Sequence, residues 1–515
     1  DPPWEHLKPA VLGAIMEHFL SGDPVVGAGQ GAAPDAEDFD PADAEVVAAI
    51  KDLIETAELG DRSYVISDGT CAIVVDPQRD TDRVAAVLAE LGVRVTLVLE
   101  THLHNDYVTG GLALARETGA TYVVAAGDEV AFDRRAVREG DELSAGSMTV
   151  LVLETPGHTD THVSYVISDG DGPPAVFTGG SLLYGSVGRT DLLGSDRTDD
   201  LTRKQWRSAR KLATNVPEDA ELYPTHGFGS FCSSGGASGG SDSTIGQEKR
   251  RNDALTEHDE QAFVDKLVAG LTGYPAYYAH MSPLNAQGPD APDLTPARTV
   301  DPAELAARIR TGEWVVDLRD RTAYAGRHLA GTVSIGIGTQ FSTYAGWVIP
   351  WGAPITVIGE SAEQVAEAQR QLVRIGIDRL AGSATGELTS LTPDVPVRSY
   401  ARATFADVRD GAHVLDVRRQ DEVVHGRIRG AKHIPLHSLV DRLHEVPQGK
   451  VWVHCATGYR AGIAASILDR AGHEVVHVDY FLPGCPPSAD AFWSFLTDLM
   501  AGRTPSLGHG LMHYD

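Results

Sequence analysis

The strongest constraint on how this chain can fold is a duplication in its second half. Val316-Asp317-Leu318-Arg319 returns as Leu415-Asp416-Val417-Arg418, and Gly331 returns as Gly430, each 99 positions later. Ile375-Gly376 returns as Ala471-Gly472, 96 positions later. Each copy alternates short β-rich runs with helical spacing. That pattern predicts two α/β units, each a doubly wound parallel sheet covered on both faces. Their expected bounds are 298–392 and 393–515.

The two copies differ at one loop. In the second, Val451-Trp452-Val453 leads into His454-Cys455-Ala456-Thr457-Gly458-Tyr459-Arg460, and Ala461 to Leu468 has helical spacing. This reads as strand, tight loop, helix. A cysteine at the mouth of such a loop faces backbone N–H groups and the positive end of a helix, which favour an anionic sulfur. Gly458 lets the loop curl back on the sulfur, and Arg460 adds positive charge. Ala456, Thr457 and Tyr459 are expected to line the substrate. In the first copy the register places Gly359 opposite Cys455, Ala362 opposite Gly458 and Gln364 opposite Arg460. Glu360 and Glu363 stand nearby and would repel a thiolate. Asp416 and Arg418 are expected to pair and hold loops at the active end. Cys485, between Gly484 and Pro486, is expected to be inert.

Cysteine, four residues, arginine resembles the active loop of rhodanese-type sulfurtransferases, which carry a persulfide sulfur on that cysteine. The resemblance implies catalysis by Cys455 with Gly458 and Arg460, and an inactive first copy.

Upstream, Val95–Leu99 runs into Thr101-His102-Leu103-His104-Asn105-Asp106-Tyr107. Thr155-Pro156-Gly157-His158-Thr159, Val176-Phe177-Thr178-Gly179-Gly180 and Pro224-Thr225-His226-Gly227 each follow another β-rich run. Histidines gathered on loops after strands suit a metal better than a core. These pieces, with Gly188-Arg189-Thr190-Asp191-Leu192, resemble the metallo-β-lactamase superfamily and, within it, the persulfide dioxygenases. The resemblance implies an αββα fold over residues 58–250. It also implies mononuclear iron held by two histidines and an aspartate, and oxidation of a low-molecular-weight persulfide to sulfite. His102 and His158 match that ligand pattern. The aspartate is replaced by Gly180, and the hydrolases' second-site histidine is Tyr107. What is left is a three-histidine set, His102, His104 and His158, with Asp106 and His226 at the rim or in a weaker second site. Iron(II) is the expected metal, and zinc suits the same ligands. Arg189 and Cys232 are expected to meet substrate.

The remaining segments carry less chemistry. Residues 1–57 read as a helical and mobile appendage, with helical spacing at Leu7–Leu20 and Val46–Ile54. Trp4 to Met16 and Ala44 to Thr56 resemble parts of Nfu-type iron–sulfur scaffold proteins. The cysteine pair that would hold a cluster is absent, so no cluster is assigned. Residues 251–297 read as a linker with a helix at Asp259–Gly270, broken by proline and asparagine as far as Pro296.

Lys and Arg number 43 against 72 Asp and Glu, a net charge of −29. That balance disfavours nucleic acid and anionic membranes as partners. Four scattered cysteines make no disulfide framework and point to a reducing, cytoplasmic compartment. The expected partners are small thiols, persulfides, thiosulfate and sulfite, with a homo-oligomer an open expectation. The order of domains resembles bacterial sulfide-detoxifying fusions, which implies sulfur transfer coupled to persulfide oxidation. Two other readings stay open: a metallohydrolase with a regulatory rhodanese tail, and a persulfide carrier with a degenerate metal site.

Overall fold

The computed structural model describes residues 50–478, apart from residues 171, 228, 235–241, 410 and 425. The proposed appendage before residue 50, with its Nfu-like segment, lies outside the described residues, as does Cys485.

Two mixed sheets form the first part. One has six strands in chain order: Ile50–Thr56, Asp61–Ser67, Cys71–Val75, Arg94–Leu99, Thr121–Ala125 and Arg135–Val137. The other has five, ordered Glu221–Pro224, Ala175–Gly179, Val163–Ser168, Met148–Glu154, Glu142–Ala145. Alternation along the strands explains why they stack. Tyr64, Ile66, Ile73, Val75, Leu97 and Leu99 meet Val150, Val152, Tyr165 and Phe177 between the sheets. The intervening Val65, Val74 and Val98 face the other way, with Val84 and Leu88 of the helix Asp82–Leu91. Leu153 and Val176 face Leu212 of the helix Thr198–Asn215. Helices therefore cover both outer faces of a two-sheet sandwich, the expected αββα order.

The expected helix over Val46–Ile54 is corrected for the residues described. Ile50–Thr56 is a strand, antiparallel to Asp61–Ser67 with Ile54 opposite Ser63, and it joins the first sheet. An apolar run this short satisfies either period, and here strand pairing decides.

The duplication is structural. Trp314–Asp317 and Val333–Ser334 in the first copy correspond, at the spacing of 99, to His413–Asp416 and Lys432–His433 in the second. The first sheet runs Val333–Ser334, Trp314–Asp317, Ile355–Gly359, Gly382–Thr385. The second runs Ala401–Ala403, Glu474–Val478, Lys450–His454, His413–Asp416, Lys432–His433. All their pairings are parallel. One strut recurs in both copies. Arg319 pairs with Asp317 at 2.7 Å and donates to the Arg327 carbonyl at 2.8 Å; Arg418 does the same with Asp416 and the Gly426 carbonyl at the same distances.

The linker differs from expectation. Beyond the helix Glu260–Gly270, a further helix, Tyr278–Gln287, contains Pro283 and Asn285. Burial of Tyr277, Tyr278 and Met281 in the shared core outweighs the cost of an internal proline. That core is continuous: it joins Tyr107 and Cys232 to Phe341 and Trp347 of the first repeat and to Val453 and Cys455 of the second. Among the described residues, no helix is long and apolar enough to cross a membrane.

Candidate functional site

Three loops that follow strands bring four histidines to one edge of the sandwich. His102 comes after Arg94–Leu99, His158 and His162 after Met148–Glu154, and His226 after Glu221–Pro224. All are buried. One ring nitrogen from each of His102, His158 and His226 lies within 4.8 Å of the others, and the Nε2 atoms of His102 and His226 are 3.5 Å apart.

Neighbouring groups set which nitrogen each ring presents. The Thr101 hydroxyl donates to Asp76 at 2.7 Å, so its oxygen accepts from Nδ1–H of His102 at 2.9 Å. Nδ1–H of His158 donates to the Arg189 carbonyl at 2.7 Å. Nδ1–H of His226 donates to Asp61 at 2.9 Å, with Asp106 at 3.3 Å. In each ring Nδ1 is committed outward and Nε2 is left for the centre. Nε2 of His158 is buried with no protein partner. Buried imidazoles oriented in this way are the donor arrangement of a transition-metal site, so the residues fit a metal.

Electrostatics divides the histidines. Burial, with the charge of His226, pushes His158 down to about 3. Burial also pushes His102 and His162 well below the ordinary histidine range. For His226, burial opposes the charge, but Asp106 and Asp61 outweigh it and push the value up to about 9. His104 goes its own way. Its Nε2 lies 3.3 Å from Asp76, 3.2 Å from Glu100 and 3.0 Å from the Tyr107 hydroxyl. The two carboxylates overcome burial and raise it to about 10. His226 thus takes the place expected for His104 beside His102 and His158. The other ring nitrogen of His104, Nδ1, is buried without a partner, and His104 forms a second group with Asp106 and His226.

Gly180 is the position without a carboxylate, and the space has closed. A Cβ there would lie 2.3 Å from Cδ2 and 2.5 Å from Cγ of His158. The Gly180 N–H donates to Nε2 of His162 at 3.0 Å, and the ring of His162 stacks on His102 at 4.9 Å. Asp76 is the hub behind the site. It is the one non-glycine residue with positive φ (49°) among the described residues. Its carboxylate accepts from Thr101 N–H at 2.7 Å and from the Thr101 and Thr225 hydroxyls. Such a backbone persists only where surrounding bonds over-determine it.

Arg189 does not stand free for substrate. It is buried, paired with Asp191 at 2.7 and 2.8 Å, donates to the carbonyls of Phe231 and Thr272, and lies over the Tyr274 ring at 4.5 Å. It ties loops together. Cys232 is fully buried, and burial with the charges of Asp106 and Asp61 pushes its thiol well up.

The Cys455 loop has the expected form. It joins the strand Lys450–His454 to the helix Tyr459–Arg470, and Gly458 takes φ 86° at the turn. Sγ accepts from the N–H of Gly458 at 3.1 Å and of Ala461 at 3.4 Å. The ring of His477 donates to the Gly458 carbonyl at 3.0 Å. Arg460 is not an unpaired charge: both its terminal nitrogens bond Glu422, one of them at 2.8 Å. Ala456 is half-buried and Thr457 exposed. Tyr459 is turned toward the first repeat, where its hydroxyl donates to the Gly336 carbonyl at 2.8 Å. In the first repeat the strand ends at Gly359 and the helix starts at Ala362. The Glu360 N–H there is taken by the Gln364 side chain at 2.7 Å.

A cleft of about 790 Å³ lies between the 229–234 loop, residues 269–273 and the segment Arg419–Val424. The segment that carries Glu422, the partner of Arg460, therefore also lines this cleft.

Sequence reasoning missed Asp61, Asp76 and His162. His162 follows His158 at i+4 and could have been found. Asp61 opens the strand Asp61–Ser67, Asp76 follows the strand Cys71–Val75, and neither belongs to a motif.

Residues 59–226 match the metallo-beta-lactamase superfamily and residues 403–482 the rhodanese-like domain. A hydroxyacylglutathione hydrolase of Cupriavidus taiwanensis is 34% identical over 174 residues, which are 32% of this chain and 62% of that protein. The human mitochondrial persulfide dioxygenase ETHE1 is 28% identical over 198 residues, 38% of this chain and 71% of that protein. The chain thus spans less than two thirds of the first relative's length. A solved metallo-beta-lactamase from Staphylococcus aureus subsp. aureus COL superposes with a TM-score of 0.59 at 28% identity, covering 66% of this chain and all of that one. The chain is therefore a mixed α/β protein in which a metallo-β-lactamase-fold domain precedes a C-terminal rhodanese-like domain.

Proposed function

We propose that this protein is a sulfur-metabolism enzyme in which Cys455 carries sulfur as a persulfide, coupled to a metal centre that acts on a low-molecular-weight persulfide. The observation that carries the reading is the Cys455 sulfur itself, held by two backbone N–H groups at the start of a helix. Such donors stabilise charge on a sulfur anion and on the persulfide that replaces it. The Cys455 thiolate attacks the outer sulfur of thiosulfate, an S–S bond forms to Cys455, and sulfite leaves with the electron pair of the broken S–S bond. An acceptor thiolate then attacks that outer sulfur and releases the Cys455 thiolate. Arg460, anchored by Glu422, keeps a fixed positive charge beside the loop.

In the first domain, His102, His158 and His226 would hold the metal, with iron(II) as the reading and zinc as its alternative. A bound metal supplies positions at which an anionic sulfur compound can be bound and polarised. The chain's own part is to orient three imidazoles through Thr101, the Arg189 carbonyl and Asp61, and to keep the pocket dry. The overall conversion is persulfide, O₂ and water to thiol and sulfite. That sulfite can take the outer sulfur from the Cys455 persulfide to give thiosulfate. The similarity to human persulfide dioxygenase supports this half of the reading.

The competing reading is a thioester hydrolase, supported by the similarity to hydroxyacylglutathione hydrolase. Tyr107, at the position where that reading needs a second-site histidine, speaks against it; Gly180 replaces an aspartate that both readings use. The deciding experiment incubates the full chain with thiosulfate and maps sulfur by mass spectrometry. One added sulfur on Cys455, lost in Cys455→Ser, is the expected result. A Cys455 peptide that never gains sulfur ends the reading.

A further inference from the structure

The loop that carries His104, Asp106 and Tyr107 is fastened from outside its own domain. Asn285, on the linker helix Tyr278–Gln287, is 1% exposed. Its Nδ2 donates to the carbonyls of His104 and Tyr107, both at 2.9 Å, and its Oδ1 accepts from the Thr109 N–H at 2.9 Å. An asparagine amide has two donor hydrogens and one acceptor oxygen, and here all are spent on the backbone of one loop. Between them, the Val108 N–H donates to the Arg374 carbonyl at 2.7 Å, at the end of the first repeat's helix Ala362–Arg374. Four backbone groups of residues 104–109 are thus satisfied by the linker and the first repeat.

We propose that Asn285 is a positioning residue for the metal centre. It holds the main chain from His104 to Thr109 in the shape that sets the Asp106 carboxylate 3.3 Å from Nδ1 of His226, where its charge reinforces the 2.9 Å bond to Asp61 that aims Nε2 of His226 at His102. The proposal rests on reading His102, His158 and His226 as the metal site. It also gives the first repeat, which lacks a nucleophilic loop, a task. The ligand-bearing loop keeps its form only while the linker helix and that repeat are docked on it. Buried backbone groups left without partners would pull the loop toward other bonds.

The test uses the full chain and zinc(II) affinity by chelator competition, with sulfur uptake at Cys455 as a second reading. Asn285→Ala and Asn285→Asp are compared with Gln369→Ala. Asp is isosteric, keeps an acceptor for Thr109 and loses both donors. Gln369 fastens the same linker through the carbonyls of Asp293 and Thr295, each at 2.9 Å, and does not bond the ligand loop. Both Asn285 variants should bind zinc about 10–100-fold more weakly, the range for partners that orient metal ligands. Sulfur uptake should be unchanged in them, and Gln369→Ala should keep wild-type zinc affinity. If Asn285→Ala does not fold, the isosteric variant decides. Wild-type zinc affinity in Asn285→Asp overturns the proposal. So does equal weakening in Gln369→Ala, or joint loss of sulfur uptake. A wild-type chain that takes up no zinc would instead remove the metal reading itself.

Discussion

Gly180→Asp is the most informative single substitution, because it returns a carboxylate to the position where the metal-binding pattern has lost one. Gly180 is not among the positive-φ glycines, so its backbone accepts a side chain. The obstacle is the imidazole of His158, whose Cδ2 would lie 2.3 Å from the new Cβ. Restoring an ordinary carbon–carbon contact of about 3.5 Å requires the ring to retreat by roughly 1 Å. The bond from its Nδ1 to the Arg189 carbonyl is 2.7 Å long and does not survive a retreat of that size if the ring moves along it. Overpacking costs about 1–3 kcal/mol, and leaving the Arg189 carbonyl unpaired costs about another 1–3 kcal/mol. A ligand that loses its orienting partner binds metal about 10–100-fold more weakly. We therefore expect Gly180→Asp to lower both thermal stability and metal affinity, although it adds a metal-binding group. The assay is elemental analysis with chelator competition on wild type and variant, with thermal unfolding alongside. Tighter metal binding by the variant would refute the reasoning, since it would mean that His158 yields freely and that the site keeps room for a carboxylate.

Three further outcomes follow from the geometry. Cys455→Ser should lose thiosulfate-dependent sulfur uptake and keep its metal content, measured by mass spectrometry and elemental analysis. Asp80→Ala should destabilise the chain by about 3–5 kcal/mol, because it strips a partner from the buried Arg374 guanidinium that Asp80 meets at 2.7 Å. Burial opposes the Asp80 charge, but Arg374 and Arg83 hold its folded value below the ordinary range. Its contribution is thus present above about pH 3.9 and lost as pH falls through the lowered folded value; acid unfolding curves of the wild type and variant should converge there. His104 has the opposite sign. Its folded value near 10 lies above an ordinary value of about 6.5, so its contribution is complete below about pH 6.5 and lost as pH rises through 10. Urea midpoints of metal-free protein should fall between pH 7 and 10.5, and His104→Gln should flatten that decline.

How much of this is legible in the residues depends on how far apart the partners lie. The Cys455 loop reads directly, because nucleophile, turn glycine and helix start occupy one short stretch. The duplication reads directly because Asp317 and Asp416 recur at a fixed spacing with their arginines. The histidines are legible as a set, but not the direction of each ring. Whether His104 faces the centre or the carboxylates depends on Asp76 and Glu100, neither of which belongs to a histidine motif. His226 is promoted beside His102 by Asp61, far away in the chain, through a bond no spacing rule announces. Arg189 looks like a substrate contact because, beyond the nearby Asp191 carboxylate, its acceptors are backbone carbonyls of distant loops. The start of the strand Ile50–Thr56 falls within the helix expected over Val46–Ile54 because a short apolar run has no decisive period, and pairing with Asp61–Ser67 settles it.

The single apolar interior that joins Tyr107 and Cys232 to Trp347 and Cys455 has a practical outcome for anyone dissecting the chain. A cut after residue 297 would bare greasy surface on both fragments and strip Val108 of its hydrogen-bond acceptor on Arg374. Each half should come out of expression sticky and prone to precipitate, while the uncut protein melts as one cooperative block.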